Sequence, residues 1–245
     1  MIYVLSDIHG SKENFDSILE KISLQPEDSL YILGDVIDRN PYGIQLLQQI
    51  MRMGNAHMLL GNHEWMMMNA LNITYTGFTL KCNGFKSTRE TEEELFSLWY
   101  MNDGKVTHEA WNRLSGKERE ELGAFLSGLP LAFDVSIDGR KYKLVHAAPV
   151  EKYRRFLMPG YANAVAYAVW DRRVFRHRFK TGCTLVFGHT PTVHMQDNNP
   201  LEIWDAGDRI GIDCGSGFPE LSESFPVEGR LACLRLDDRQ VFYSG

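Results

Sequence analysis

The first ten residues, MIYVLSDIHG (1–10), share a pattern with two later stretches, LYILGDVIDRN (30–40) and HMLLGNHEW (57–65), and this pattern indicates the fold. Each is a short apolar run that ends in Gly, Asp, Asn or His. Such runs are typical of buried parallel strands. Between them, residues 11–22 and 42–53 carry apolar side chains at helical spacing. The alternation predicts two strand–helix–strand units, and therefore an α/β fold whose first sheet is largely parallel.

The rest of the chain has a different pattern. Residues 66–130 are helical in pattern and more polar, with a helix predicted at 115–126, and no Gly/Ser or Pro linker flanks them. We therefore expect one domain, residues 1–245, in which 66–130 is a helical insertion near the active site. A hairpin is predicted around Asp138-Gly139, and no helix pattern separates the strands that follow. The second sheet is therefore expected to be mostly antiparallel, with later strands at 184–187, 201–204, 209–213, 231–236 and 240–243.

Composition excludes several classes of protein. The 26 Lys and Arg against 32 Asp and Glu give a net charge of -6, which argues against a nucleic-acid partner. The longest stretch without a charged residue or histidine, 65–80, is broken by polar residues, so no membrane span is expected. Four cysteines without paired spacing predict neither a disulfide framework nor a thiolate metal site. These features favour a cytoplasmic protein.

Side chains of the kind that bind metals follow five of the predicted strands. Taken singly, each has an ordinary explanation as a helix cap, a turn residue or a hydrogen-bonded histidine. Taken together, they fall where open α/β sheets build their sites, at the carboxyl ends of strands. Oxygen and imidazole ligands without thiolates suit Mn²⁺, Fe or Zn²⁺. The residues are Asp7, His9, Asp35, Asp38, Asn62, His63, His146 and His189, and Arg39 follows Asp38 on the same loop.

The motifs that contain these residues resemble those of the calcineurin-like metallophosphoesterases, and within them the phosphoprotein-phosphatase branch. They are Asp7-Ile8-His9-Gly10, Gly34-Asp35-Val36-Ile37-Asp38-Arg39, Gly61-Asn62-His63-Glu64, Val145-His146-Ala147 and Gly188-His189-Thr190-Pro191. The resemblance implies two packed mixed β-sheets flanked by helices, a four-layer α/β sandwich. The Gly-His-Thr-Pro form is associated with bacterial and phage members, including the symmetrical diadenosine tetraphosphatases.

The same resemblance implies a cofactor of two divalent metal ions, most readily Mn²⁺, with Fe or Zn²⁺ as alternatives. One ion would be held by Asp7 and His9, and the second by Asn62, His146 and His189, with the Asp35 carboxylate bridging them. Ions about 3.5–4 Å apart can share a hydroxide, lower its pKa and clamp the phosphorus that it attacks.

Four further residues receive catalytic roles from the resemblance. His63 would be the general acid at the leaving oxygen, and Asp38 would orient it. Arg39 would bind phosphate oxygens, because a guanidinium fork matches their geometry. The second phosphate-binding arginine would be Arg172 of Trp170-Asp171-Arg172, although the adjacent Arg173 remains an alternative.

The substrate is less constrained than the chemistry. Phosphomonoesters are favoured, above all phosphoserine or phosphothreonine in proteins. The alternative is a dinucleoside polyphosphate, suggested by Gly-His-Thr-Pro and by residues 152–180, which hold eight Lys and Arg, one acid and several aromatic rings. The other interpretation of that segment is a solvent-exposed helix face whose aromatic side chains belong to the core. A non-enzymatic metal-binding scaffold of the same fold is a third interpretation. The chain departs from the family pattern in two ways that bear on its substrate. Asn40 stands where protein phosphatases usually have Gly, and the interval of 84 positions from Asn62 to His146 is longer than in the simplest members.

Overall fold

The computed structural model describes residues 1–78, 91–154, 158, 160–176, 182–218 and 228–245. Most predicted strands and helices are present, with ends displaced by one to three residues. In chain order they are β1 (Ile2–Leu5), α1 (Lys12–Ile22), β2 (Ser29–Ile32), α2 (Gly43–Arg52), β3 (Ala56–Met58), α3 (Asn62–Ala70), α4 (Glu92–Met101), α5 (Lys105–Asn112), α6 (Gly116–Ser127), β4 (Ala132–Ile137), β5 (Arg140–Val145), α7 (Ala164–Trp170), β6 (Thr184–Phe187), β7 (Trp204–Asp205), β8 (Arg209–Gly211), β9 (Ala232–Arg235) and β10 (Val241–Tyr243).

The strands form two five-stranded sheets with the orders β10-β9-β1-β2-β3 and β4-β5-β6-β8-β7. In the first sheet β1, β2 and β3 are parallel, as predicted, and β9 and β10 add antiparallel strands at one edge. Both sheets contain parallel and antiparallel strands, and helices accompany them in the chain, which confirms the predicted α/β sandwich.

The prediction that the second sheet is mostly antiparallel is wrong. The pairs β5–β6 and β6–β8 are parallel, and only β4–β5 and β7–β8 are antiparallel. The connection from β5 to β6 contains α7, which sequence periodicity did not reveal and which makes a helical crossover between parallel strands. The last two strands return to the first sheet. Little of the strand expected at 201–204 forms, since β7 is confined to Trp204–Asp205.

Apolar side chains from both sheets interlock between them. Val4 and Leu33 of the first sheet and Leu144 and Val186 of the second are fully buried in one cluster. Burying a side chain of this size stabilises the fold by about 1.5–3 kcal/mol. A larger cluster joins the other face of the first sheet to the helices, where α1 contributes Phe15 and other apolar side chains at helical spacing. Strands packed on both faces hold their ends in fixed positions.

Four helices, α3 to α6, occupy the described residues between β3 and β4. Thr91 and Ser115 cap the first turns of α4 and α6. Each hydroxyl accepts a bond from the N–H of the glutamate three residues later, and that glutamate's carboxylate accepts one from the N–H of the capping residue. Trp99 and Trp111 anchor α4 and α5 in the core. Part of the expected insertion, residues 79–90, lies outside the described residues. In the part of the chain that is described, no helix is long and apolar enough to cross a membrane.

Candidate metal centre

The six predicted metal ligands lie on the loops that follow five strands. Asp7 and His9 follow β1, Asp35 follows β2, Asn62 begins α3 beyond β3, and two histidines follow β5 and β6. Their side chains belong to residues that are only 1 to 4% exposed. Burying charged and polar groups is costly unless they are paired or coordinate a metal. The structure therefore brings together, in one buried place, residues that the sequence spreads over positions 7 to 189.

Two groups of potential ligand atoms share Asp35. Within each group all the atoms lie within 4.8 Å of one another. The Asp35 Oδ2 atom is 3.9 Å from Nε2 of His9 and 3.5 Å from Nε2 of His146. The first group is His9, Asp35 and His63, and the second is Asp35, His146 and His189. Two adjacent groups that share a carboxylate are consistent with a dinuclear metal site.

Backbone carbonyls orient two of the histidines. Nδ1 of His9 lies 3.0 Å from the Ile37 carbonyl oxygen, and Nδ1 of His146 lies 2.7 Å from that of Leu33. A carbonyl oxygen can only accept, so Nδ1 carries the proton in each ring and Nε2 presents its lone pair towards Asp35. In most metal-binding histidines, a hydrogen bond from the ring nitrogen that does not bind the metal fixes the tautomer and the ring orientation.

A buried nitrogen without a hydrogen bond and the pKa shifts of the cluster also fit a site for a divalent cation. Nε2 of His189 is buried and makes no hydrogen bond to the described residues. Burial lowers the pKa of His189 and of His9 well below the usual value, which keeps both rings in the neutral form that binds metals. Burial, followed by the charge of Asp35, raises the pKa of Asp7 to about 6. A bound cation would relieve this cost of buried carboxylates.

The backbone of the site is strained. Six predicted site residues have φ between 49° and 69°, in the left-handed region that residues other than glycine rarely adopt. Such strain persists only where the surroundings impose it, and it concentrates at functional sites. Gly188 shows how tight the packing is, since a Cβ there would overlap Ser6 and the Asp7 carboxylate. The six are Asp7, His9, Asp35, Asp38, Arg39 and His189.

Glu64 joins two of these loops and was given no role by the sequence. Its fully buried carboxylate accepts backbone N–H bonds from Asp35 at 2.9 Å, Val36 at 2.8 Å, Ile37 at 3.3 Å and Gly61 at 3.1 Å. It therefore holds the loop after β2 against the start of α3. Burial and the charge of Asp35 raise the Glu64 pKa to about 8. Its place in Gly61-Asn62-His63-Glu64 was the signal for this role.

His63, a member of the first group of potential ligands, forms a buried pair with Asp38. Nδ1 of His63 lies 2.7 Å from Oδ2 of Asp38, and the two residues are 2% and 0% exposed. Nε2 of His63 faces the site, 4.0 Å from Oδ2 of Asp35. Desolvation lowers the His63 pKa to about 4 and raises the Asp38 pKa to about 7. Nε2 of His63 is thus directed into the cluster, where His63 also lies close enough to His9 and Asp35 to be a ligand.

A cavity of about 490 Å³ opens over the metal-type groups. Arg39 and Arg172 line it, whereas Arg173 is held by the Asp171 carboxylate at 2.6 Å. Of the two arginines that sequence left open, the structure places Arg172 at the cavity. Phe175 and Arg176 also line the cavity and belong to the basic, aromatic segment 152–180 that suggested a nucleotide substrate. Four other lining residues had no assigned role in the sequence, because they lie outside the recognised motifs, and they are Asn102, His194, Asp213 and Phe218.

The chain is similar in sequence to a known enzyme family and in fold to several solved structures. The family model for the calcineurin-like phosphoesterases matches residues 1–213. The symmetrical bis(5'-nucleosyl)-tetraphosphatase of Acidovorax ebreus is 25% identical over 173 residues, 70% of this chain and 52% of that protein. The chain thus spans about half the length, or less, of the first curated relatives that it matches.

Solved structures share the fold at low sequence identity. The crystal structure of a proposed diadenosine tetraphosphatase matches 99% of this chain and 91% of its own, with 15% identity and a TM-score of 0.61. A cold-active protein-tyrosine phosphatase from Shewanella matches 100% and 80%, with 15% identity and a TM-score of 0.53. A serine/threonine phosphatase from Saccharomyces cerevisiae matches 99% and 78%, with 15% identity and a TM-score of 0.51.

The family model covers most of the chain, and the two metal-type groups lie within the matched region. The chain therefore belongs to the calcineurin-like phosphoesterase family.

Proposed function

We propose that the protein hydrolyses phosphomonoesters of alcohols, with phosphoserine and phosphothreonine in proteins as its substrates. The observation that carries the proposal is the buried His63–Asp38 pair, with Nδ1 and Oδ2 2.7 Å apart and Nε2 directed into the site. A serine or threonine alkoxide is a strongly basic leaving group, so its departure benefits from a proton donor. A nucleotide leaving group is far less basic and needs a donor much less.

The proposed metal ligands are the six buried residues already described. Asp7 and His9 would hold one divalent ion, Asn62, His146 and His189 the other, and Asp35 both. Bound ions would polarise the phosphate oxygens and lower the pKa of a water molecule at the site. The donors are carboxylate, amide and imidazole groups, a set that suits Mn²⁺, Fe or Zn²⁺.

The protein's own groups would position the ester and the proton. Arg39 and Arg172 line the cavity and would bind the phosphate oxygens, each through a guanidinium fork. Arg172 is oriented by a 3.0 Å bond from Nη1 to the His189 carbonyl oxygen. His63 would donate its Nε2 proton to the leaving oxygen, and Asp38 would stabilise the charged ring that delivers it.

A second candidate function is the hydrolysis of a dinucleoside polyphosphate, and specific observations favour it. Three arginines, Arg39, Arg172 and Arg176, line the same cavity, which is more positive charge than one phosphate requires. Phe175 and Phe218 line it as well, each with an arginine over one ring face, and aromatic rings of this kind can stack on a base. The curated relative of Acidovorax ebreus carries the name of such an activity.

Side-by-side kinetics would separate the two candidates. We expect the Mn²⁺-loaded protein to hydrolyse phosphoserine and phosphothreonine peptides with a higher kcat/KM than diadenosine tetraphosphate. The metal-stripped protein is the control for contaminating phosphatase. A preference for the nucleotide by a factor of about 100 or more, worth roughly 2.7 kcal/mol of transition-state binding, would overturn the protein-phosphatase proposal. Full metal loading without turnover even of an aryl phosphate would indicate a scaffold.

A further inference from the structure

The helical segment 92–112, which contains α4 and α5, bonds directly to the loop that carries Asp38 and Arg39. The Trp99 indole Nε1 donates to Oδ2 of Asp38 at 2.9 Å. The Asp38 backbone N–H donates to Oγ1 of Thr107 at 2.9 Å, and the Arg39 N–H donates to the Asp103 carbonyl oxygen at 3.3 Å. Asp38 and Arg39 have φ of 69° and 65°. Strained residues need such external bonds to keep their conformation.

The bond from Trp99 reaches the same carboxylate oxygen that His63 uses. Oδ2 of Asp38 thus accepts from both the imidazole and the indole, while Oδ1 is buried and makes no hydrogen bond to the described residues. Trp99 and Asp38 are both 0% exposed, so water does not replace the indole N–H. The indole therefore fixes the rotation of the carboxylate to which His63 is bonded.

The chain around Trp99 is shaped to the indole. Gly104 lies against the ring, and a Cβ at this position would overlap Nε1 and Cδ1 of Trp99. The Gly104 N–H donates to the Trp99 carbonyl oxygen at 3.0 Å. Phe96 and His108 pack on other parts of the ring, with centroids 6.2 and 5.6 Å away. The ring is thus confined on several sides.

We propose that Trp99 is a positioning residue for proton donation, and that segment 92–112 is thereby a working part of the active site rather than a cover over the core. Trp99 holds the Asp38 carboxylate in the orientation that directs Nε2 of His63 at the leaving oxygen. The inference rests on the proposed role of His63 as the acid. It adds that this role depends on a side chain 61 positions further along the chain than Asp38.

The test compares Trp99→Phe with Trp111→Phe as a matched control. Trp111 is buried in the same segment, and among the described residues its ring makes no hydrogen bond to Asp38. In Trp99→Phe we expect kcat for a phosphoserine peptide to fall about tenfold to a hundredfold, as for a charged group that loses one hydrogen bond. KM and metal content should stay near the parent values. Turnover of p-nitrophenyl phosphate should fall by less than about threefold, since its leaving group hardly needs a proton.

A second variant and a spectroscopic readout keep the test decisive. Gly104→Ala retains the indole N–H but displaces the ring, and should reproduce the leaving-group asymmetry in weaker form. In ¹⁵N-labelled protein, Asp38→Asn should shift one indole N–H resonance of the five tryptophans, and Trp99→Phe should remove that same resonance.

The outcomes distinguish the inference from the function on which it rests. If His63→Asn shows the leaving-group asymmetry while Trp99→Phe behaves like Trp111→Phe, the inference is wrong and the acid assignment survives. If His63→Asn shows no asymmetry, the assignment of the acid fails. Equal rate losses for both substrates in Trp99→Phe, or an indole resonance indifferent to Asp38→Asn, would also overturn the positioning role.

Discussion

Replacement of His63 by Asn distinguishes proton donation from metal binding. If His63 is the general acid, the variant keeps two metal ions but hydrolyses alkyl phosphates more slowly. General acid catalysis is typically worth about 10² to 10⁴ in rate, roughly 3 to 5.5 kcal/mol of transition-state stabilisation. A loss within this range is expected, because Nδ1 of His63 is bonded to the buried Asp38 carboxylate at 2.7 Å and an asparagine amide cannot deliver the proton that an imidazole would donate.

The assay pairs metal analysis with leaving-group dependence. The rate with a phosphoserine peptide should fall by the full factor, and the rate with p-nitrophenyl phosphate by much less. Asp38→Asn should give a milder version of the same asymmetry, because the imidazole remains but loses its charged partner. The alternative is specific, since His63 lies in one ligand-type group with His9 and Asp35. Loss of one ion in His63→Asn, or equal rate losses with both substrates, would refute the assignment.

Three further predictions concern other residues of the site. Asp35→Asn should lower metal content and activity more than replacement of any ligand in one group only, because Asp35 belongs to both groups; near-normal turnover would contradict the shared role. Arg172→Ala should raise KM for phosphoesters about tenfold or more, whereas Arg173→Ala, whose guanidinium is already bonded to Asp171, should change it little. Glu64→Ala should reduce the free energy of unfolding by about 3–5 kcal/mol in denaturant titrations, since four buried N–H groups lose their acceptor; a loss below about 1 kcal/mol would argue against its structural role.

The strand ends could be predicted because their signal is local. An apolar run that stops at Gly and is followed by Asp, Asn or His shows both where a strand ends and what it presents there. The parallel edge then brings Asp7, Asp35 and Asn62 together without further information. The parallel part of the first sheet, β1 to β3, and the clustering of the predicted ligands followed from these short motifs, whereas the addition of β9 and β10 to that sheet did not.

Contacts between distant segments could not be predicted in this way. The bond from Trp99 to Asp38 joins a loop to a helix whose own pattern indicates only a buried aromatic ring. Asp213 and Phe218 reach the cavity from a loop beyond β8 that carries no recognised motif. The parallel pairing of β5, β6 and β8 depends on a crossover through α7, a helix of seven residues that is too short to give a clear periodicity.

We expect the buried carboxylate, amide and imidazole cluster to bind two metal ions and to hydrolyse phosphoesters only when both are bound. The experiment is to titrate the chelator-stripped protein with Mn²⁺ and to measure the ions bound per chain together with phosphoester turnover. We expect no turnover in the stripped protein, and full turnover when two ions are bound per chain, with Mn²⁺ restoring more activity than other divalent ions. Undiminished turnover in the stripped protein, or saturation with one ion per chain, would contradict the account.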